Sequence, residues 1–428
     1  MRKALSIAVF ASILPAFLFA EDLTYKKYQP ADPSPKPQEG IDWSRFSMYD
    51  AQDKSLPRVL MIGDSICNAN HRSVRELLKG KYSVAFWASS MDATDPDFIY
   101  ALNLILEQAP YDIITFNNGL HGHRPLPERV VAIENAVKFI REKLPDSKLI
   151  IVGTTPVKTQ SSQPDKTLPN LAAKMNLPFV DLNAIMAPLD REKYWSDKYH
   201  FKKEAVDMQG KAIAEAIERE GAKLGGARVR AKTFSPTPVI SEDTVFSNIV
   251  GLNTKSKVGK RVFLTGRFSH GAAWHLREKA GKHVNISAWE TSKCITDPDF
   301  ARMFMYAMTL LPYDYVMFIQ PEPVHADGKK WTKAFVQMMN FLRAKYPNVK
   351  VVLCSAPAGT IGSQTRARFL EEYAAKNRME FFSMFDSDQK DPANFIGDAL
   401  VKLLKLSKDE KGNIVPAGSD MGPSGAVK

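Results

Sequence analysis

Arg58-Val59-Leu60-Met61-Ile62-Gly63-Asp64-Ser65 is an apolar run of buried-strand length, closed by a glycine, a helix-capping aspartate and a hydroxyl. The segment after it, Ile66 to Leu78, can be helical, which puts Ser65 at the carboxyl edge of a sheet and at a helix N-terminus. Far downstream, Asp197-Lys198-Tyr199-His200 heads an amphipathic stretch from Phe201 to Ile217 with Ala205, Met208, Ala212, Ile213 and Ala216 on its apolar side. A spacing of three lets the carboxylate reach round one turn to the imidazole. In the order Ser, Asp, His, the chain carries an attacking oxygen, an orienting carboxylate and a general base. Gly-Asp-Ser alone is weak, because Asp64-Ser65 also suits a plain helix cap; the partner motif supplies the specificity.

Outward from this strand, apolar runs at 58–62, 111–116, 148–152 and 178–182 have strand length, and helical periodicity fills the segments between them. One helix begins after Pro127, with Glu128 in its first turn, and sets Val130, Ile133, Val137, Ile140 and Leu144 on one face. Strand and helix alternate, so an α/β fold is expected, a parallel sheet with helices on both faces.

The same logic runs a second time. Arg58 to Gly63 matches Arg261-Val-Phe-Leu-Thr-Gly266, and Thr94-Asp-Pro-Asp-Phe98 recurs unchanged as Thr296-Asp-Pro-Asp-Phe300. Pro110-Tyr-Asp112 matches Pro312-Tyr-Asp314, and Pro145 to Ile151 matches Pro347 to Leu353. A register held over that length means a duplicated unit. The second copy has Gly266-Arg267-Phe268 where the first has Gly63-Asp64-Ser65, and its counterpart of Asp-x-x-His falls in a contracted region. It is expected to be inert, a packing partner or a wall for the substrate of the first.

The expected organisation is a signal peptide over 1–20, a proline-rich leader over 21–56, a catalytic domain over 57–222, a linker over 223–257, a degenerate copy over 258–405 and a disordered tail over 406–428. Arg2 and Lys3 before the apolar stretch Ala4 to Phe19, with Ala20 as cleavage position, fit an export signal and a secreted or periplasmic protein with no stable membrane span after cleavage. The formal net charge of +11, two of it from Arg2 and Lys3, favours anionic partners such as an acidic glycan or envelope, with scattered solubilising lysines as the alternative reading. No Lys/Arg run with interleaved aromatics points to nucleic acid. The three cysteines, Cys67, Cys294 and Cys354, are too few for a disulfide scaffold; Cys67 reads as a small core residue, and Cys294 and Cys354 can pair only if their loops meet.

Phe116-Asn117-Asn118-Gly119-Leu120-His121-Gly122-His123 ends the next strand at the same edge as Ser65. Asparagine amides and a glycine N–H are what an oxyanion hole uses, although Asn-Gly also forms plain turns. A third reading makes His121, His123, His200 and Asp64 a metal set, without the helical histidine pair such sites favour. In the second copy His270, His275 and His325 read as surface or structural residues.

By these motifs the first domain resembles the SGNH, or GDSL-type, hydrolase superfamily, with Gly63-Asp64-Ser65 as its first block and Asp197 to His200 as its last. The resemblance implies a triad of Ser65, Asp197 and His200, with the oxyanion held by the serine N–H, a second-block glycine and a third-block asparagine. Trp87-Ala-Ser-Ser-Met-Asp92 occupies the second block, so Ser89 or Ser90 has to offer the N–H. In the third block Asn117 is the side-chain donor, with Asn118 as alternative, His121 as replacement and Gly119 beside them. The resemblance further implies two three-layer α/β/α flavodoxin-like domains with parallel sheets, no cofactor and no metal. With the export signal, it points to a serine esterase removing O-acyl groups, acetyl above all, from a glycan. The alternatives are a glycan O-acyltransferase and a catalytically inert glycan-binding or structural protein. Oligomeric state is not readable.

Overall fold

The computed structural model describes residues 39–121, 125–159, 166–224, 243–256, 259–320, 328–358, 363–385, 391–408 and 414–416. In chain order the elements that position the site are β1 (Ile41–Met48), β2 (Arg58–Gly63), α1 (Ser65–Leu78), β3 (Ser83–Ser89), α2 (Phe98–Leu106), β4 (Ile113–Phe116), α3 (Leu126–Lys143), β5 (Lys148–Val152), α4 (Thr167–Met175), β6 (Phe179–Val180), α5 (Leu182–Met186), α6 (Arg191–Tyr194) and α7 (Lys203–Gly221). The second half follows as β7 (Val245–Leu252), β8 (Lys260–Thr265), α8 (Ser269–Ala280), β9 (Val284–Thr291), α9 (Pro298–Met308), β10 (Tyr315–Ile319), α10 (Gly328–Lys345), β11 (Lys350–Cys354), α11 (Ser363–Lys376), β12 (Glu380–Phe382) and α12 (Pro392–Leu403). The fold is α/β, with a mostly parallel sheet and helices on both faces.

All twelve of these strands form one sheet, ordered β12-β11-β10-β8-β9-β7-β1-β3-β2-β4-β5-β6. From its centre outward the order reads alike in both directions, and the halves meet where β1 pairs antiparallel with β7, Ile41 opposite Leu252 and Met48 opposite Val245. Within each half the strands are parallel, except that β1 and β7 run against their neighbours β3 and β9. Following these directions across the sheet, β8, β10, β11 and β12 run opposite to β2, β4, β5 and β6. The carboxyl edge of the second half therefore lies on the opposite rim from Ser65, and it cannot be the wall of the Ser65 site. What the second half presents on the Ser65 rim is its amino edge.

The repeated sequence does repeated work. Trp87 Nε1 donates to Ser44 Oγ at 2.9 Å, and Trp289 Nε1 donates to Ser247 Oγ at 2.9 Å. Asp112 accepts the Arg58 N–H at 2.7 Å, as Asp314 accepts that of Arg261 at 2.8 Å. The Thr-Asp-Pro-Asp-Phe motif recurs because its first aspartate closes a loop: Asp95 accepts from Asp92 N at 3.0 Å and Asp297 from Cys294 N at 2.9 Å. Each bond satisfies a backbone or indole N–H that burial would otherwise strand.

One apolar core runs unbroken through both halves beneath α2, α3, α9 and α10, while the opposite face carries a separate core for each half. Across the shared core, Tyr306 OH donates to Met91 Sδ at 3.0 Å and the buried Arg302 pairs with Glu107. Sheet and core are therefore common property, and the repeats are halves of one body.

Several expected boundaries change. Ile41–Met48, inside the expected leader, is a central strand, and Val245–Leu252, inside the expected linker, is its partner. Both were hidden by serines, Asp42 and Asn248, which a central strand accommodates through hydrogen bonds such as those of Ser44 and Ser247. In the expected tail, Leu406–Lys408 pairs antiparallel with Ile414–Pro416. The expected signal segment, residues 21–38, residues 225–242 and the chain after 416 lie outside the described residues. The three cysteines are free and buried. Among the described residues no helix is long and apolar enough to cross a membrane.

Candidate active site

Gly63 lets α1 leave β2 sharply: a Cβ there would lie 2.6 Å from Cys67 Cβ, closer than real atoms approach. Asp64 is the N-cap, accepting the Ile66 N–H at 2.9 Å, so Ser65 becomes the first residue of α1 with its own N–H at the positive end of the helix. Asp64 is 1 % exposed, and its Oδ2 has no hydrogen-bond partner. Burial pushes its carboxyl up, against the pull of the His121 and His200 imidazoles, both of which act on it. The Cys67 thiol is likewise pushed up by burial, so it packs as a neutral side chain.

Asp197 and His200 are displayed by a tight excursion between α6 and α7. Trp195 and Phe201 bridge across its base, both buried, with ring centroids 4.6 Å apart. Ser196 N–H donates to His200 O at 2.9 Å and Lys202 N–H to Tyr194 O at 2.8 Å, closing the loop. Asp197 Oδ1 accepts from the N–H groups of Tyr199 and His200, each at 2.8 Å, leaving Oδ2 for the ring. Burial raises the Asp197 carboxyl, but the Tyr199 N–H, the His200 ring and the His200 N–H outweigh it and hold the group below the usual carboxylate range.

Three side chains from distant parts of the sequence meet here. His200 Nδ1 lies 2.7 Å from Asp197 Oδ2 and its Nε2 lies 2.9 Å from Ser65 Oγ. A carboxylate accepting from Nδ1–H fixes the tautomer whose Nε2 can take the serine proton. The His200 and Asp197 side chains are 42 % and 56 % exposed, so water reaches the group freely.

The expected oxyanion donors fare differently. Both Asn117 amide hydrogens are committed, Nδ2 donating to Val152 O at 2.8 Å and Gly153 O at 3.0 Å, so Asn117 ties β4 to the end of β5 and offers nothing to the site. The Ser90 N–H donates to Trp43 O at 3.0 Å, which removes it as well. Asn118 spans to the loop after β3, donating to Met91 O and accepting from Ala93 N, both at 3.1 Å. Gly119 fits under Thr154, whose methyl would lie 2.8 Å from a Cβ, and its carbonyl accepts from Arg129 Nη2 at 2.6 Å. Asn117 and Ser90 thus spend their donors on neighbouring backbone carbonyls, because sequence shows residue type but not which strand end needs stitching.

His121 stands at the same rim, with one ring nitrogen against an acid. Its Nδ1 lies 2.7 Å from Glu39 Oε1, a contact with a residue of the expected leader that no local motif announced. Burial lowers the His121 pKa, but the Glu39 hydrogen bond and the charges of Asp64, Glu39 and Asp92 outweigh it, and the net direction is upward. Among the described residues no group of three or more His, Cys, Asp or Glu is arranged to hold a metal ion; His123 lies outside them.

Two smaller expectations shift with the geometry. Ala205, Ile213 and Ala216 of α7 are buried and Ala212 is partly so, but Met208 is exposed; its neighbours Gln209 and Gly210 face inward, Gly210 because α7 crosses α1 at Ser73. In α3, Ile133, Val137 and Ile140 are buried with Leu144 just beyond, whereas Val130 is exposed.

No family model and no curated protein matches the chain. Among solved structures it is similar to a carbohydrate esterase family 3 protein from Talaromyces cellulolyticus, at 14 % identity over 39 % of this chain and 99 % of that one, TM-score 0.31. It is similar to a member of the lipolytic protein G-D-S-L family from Veillonella parvula, at 15 % identity over 39 % and 100 %, TM-score 0.32. It is also similar to the periplasmic domain of a lipopolysaccharide acetyltransferase from Salmonella ser. Paratyphi A, at 13 % identity over 39 % and 85 %, TM-score 0.30.

Proposed function

We propose that the chain is an exported serine esterase that removes O-acyl groups, acetyl above all, from a glycan. The observation that carries this reading is the hydrogen-bond relay Asp197–His200–Ser65 at the N-terminus of α1. In the first step His200 Nε2 takes the Ser65 proton as Oγ attacks the ester carbonyl, and Asp197 balances the imidazolium that forms. The same imidazolium then protonates the departing sugar oxygen. Water, activated by His200 in turn, releases the acid from Ser65 Oγ. The exposure of His200 and Asp197 suits a water acceptor and favours hydrolysis over transfer to a second sugar.

Negative charge on the tetrahedral oxygen is met by the Ser65 N–H and the dipole of α1. With the amide of Asn117 and the N–H of Ser90 both engaged elsewhere, His121 is the second donor in this reading. Glu39 takes one ring nitrogen, and the other can donate when the ring is an imidazolium, the form that Glu39, Asp64 and Asp92 favour.

The test is hydrolysis of p-nitrophenyl acetate and of acetylated glycans by the purified chain and by Ser65→Ala, with fluorophosphonate labelling alongside. The expected result is a loss of about a thousandfold or more in kcat and of all labelling. Equal rates from both proteins would remove Ser65 as nucleophile. Absence of labelling where a control esterase labels would leave an inert binding protein.

A further inference from the structure

The rim that carries Ser65 does not end with the first half. Because strand direction reverses across β1 and β7, this rim continues as the carboxyl end of β7 and the amino ends of β8, β10 and β11. The junction is built. Thr254 N–H donates to Gly40 O at 3.3 Å, Thr254 Oγ1 pairs with Asp42, and the Lys255 chain packs over Gly40, its Cδ 3.8 Å from where a Cβ would stand. Gly40 adjoins Glu39, which holds His121. A contact path thus joins the catalytic loop to the second half.

Along this edge basic side chains outnumber acidic ones. Lys255 follows β7, Lys260 begins β8 and Lys350 begins β11; all three are exposed, and Lys350 Nζ lies 5.7 Å from the ring centroid of Tyr315, which begins β10. Of the acids there, Asp314 is occupied by the Arg261 N–H, while Glu380, which begins β12 beside β11, is exposed. Arg277, Lys279, Arg343 and Lys345 at the ends of α8 and α10 add positive charge, offset in part by the exposed Glu278, but cations at helix C-termini are ordinary, and Lys279 is paired with Asp398. The lysines at the strand ends have no such explanation. The matching edge of the first half lacks two of them: Gln52 and Pro57 stand where the second half has Lys255 and Lys260. The basic charge is therefore concentrated on the half whose amino edge extends the active rim.

We propose that this edge is a docking track for a carboxylate-bearing polysaccharide, which lies over Lys255, Lys260 and Lys350 while one of its acylated residues reaches Ser65. At about 4.8 Å between strands, β7 and β11 stand roughly 15 and 35 Å from β2 along an edge that winds with the sheet's twist. Only a polymer spans that, and its regularly spaced carboxylates complement the lysines. The proposal rests on the glycan-esterase reading for its substrate and adds the acidic class and the role of the second half.

The probe is polygalacturonate, titrated against the full chain, with dextran and duplex DNA as comparators. Polygalacturonate should bind and weaken with added salt, and dextran should not bind. The triple variant Lys255→Gln, Lys260→Gln, Lys350→Gln should lose at least tenfold in affinity with its Tm unchanged, and arginine at the same three positions should restore it. An equal change of charge on the far rim, Lys54→Gln, Lys79→Gln, Lys148→Gln, should leave affinity as it was. Ser65→Ala should bind like the parent, so failure of the esterase reading, seen in hydrolysis, stays separate from failure of the track, seen in binding. Unchanged affinity in the triple variant, equal loss in the far-rim variant, equal binding of dextran, or equal binding of DNA would each overturn the proposal.

Discussion

The two halves solve the same turn differently. In the first, β2 ends on Gly63, Asp64 caps α1 and the serine is its first residue. In the second, Gly266 takes φ +105°, where a Cβ would sit 1.9 Å from Ile319 O, and Phe268 serves as N-cap at φ +65° without any side-chain cap bond. A left-handed phenylalanine is a costly way to begin a helix. Yet β8 and α8 pack as β2 and α1 do, and the Trp–Ser and Asp–backbone bonds are intact in both halves. The scaffold is thus indifferent to the nucleophile turn. The proposed chemistry depends on two local features of it, the Gly-Asp-Ser turn and the excursion carrying Asp197 and His200, and the second half has neither.

The largest effect that sharpens this contrast is on the excursion. Asp197→Asn removes the acceptor that fixes the His200 tautomer, and kcat should fall by a factor on the order of a thousand or more with folding intact. Steady-state kinetics with a Tm measurement reads both. A loss under tenfold would mean the excursion is not what separates the halves.

A smaller effect is expected at His121. With its pKa raised, this group is an imidazolium donor below that value and loses the proton as pH rises through it. The alkaline limb of kcat/KM should therefore lie above the ordinary histidine range near 6.5, and Glu39→Gln should move it down. His121→Gln should abolish the limb and cost on the order of a hundredfold in kcat, the usual worth of one oxyanion donor. A profile with no alkaline limb in the parent protein would remove His121 from the chemistry. The same titration bears on stability: what the raised pKa contributes is complete below the unfolded histidine value and disappears as pH climbs through the folded one.

How much of this was legible in the sequence follows from what each residue answers to. Ser65, Asp197 and His200 were readable because their chemistry demands those residue types at a strand end and a helix start, and the structure brings them within hydrogen-bonding distance. The strands β2 and β5 were readable because buried parallel strands are continuous apolar runs. β1 and β7 were not, since a strand at an antiparallel junction can carry Ser44, Arg45 and Asn248 and still lie mid-sheet. Asn117 misled for a related reason. An amide at a strand end suits an oxyanion and a neighbouring carbonyl equally, and only the third dimension shows Val152 and Gly153 waiting for it. The Glu39–His121 pair could have been suspected only by placing residue 39 at the rim, which required β1.

The helix crossings break the comparison in a graded way. Gly210 lets α7 approach α1, where a Cβ would lie 2.6 Å from Ser73 Cβ, and Gly397 lets α12 approach α8, where it would meet the His275 ring at 2.4 Å. Alanine at either should destabilise by about 1–3 kcal/mol through overpacking. Only Gly210→Ala should also lower kcat, because α7 carries His200 at its approach. Equal kcat losses at both sites would show that the second half supports the active site's geometry as directly as α7 does.

The smallest expected effect is a deliberate nothing. Arg267→Asp with Phe268→Ser rebuilds Gly-Asp-Ser at the end of β8 and relieves the bulky residue at φ +65°. In a Ser65→Ala background this graft should restore no hydrolysis and no fluorophosphonate labelling. The second half has no counterpart of the loop between Trp195 and Phe201 to deliver an imidazole across the site, and the histidine beside residue 268, His270, sits on α8 itself against Glu290. An unassisted serine hydroxyl is a poor nucleophile at neutral pH. Labelling at the new serine would show that strand end and helix dipole suffice, and it would shift the distinction between the halves from the missing base to the turn alone.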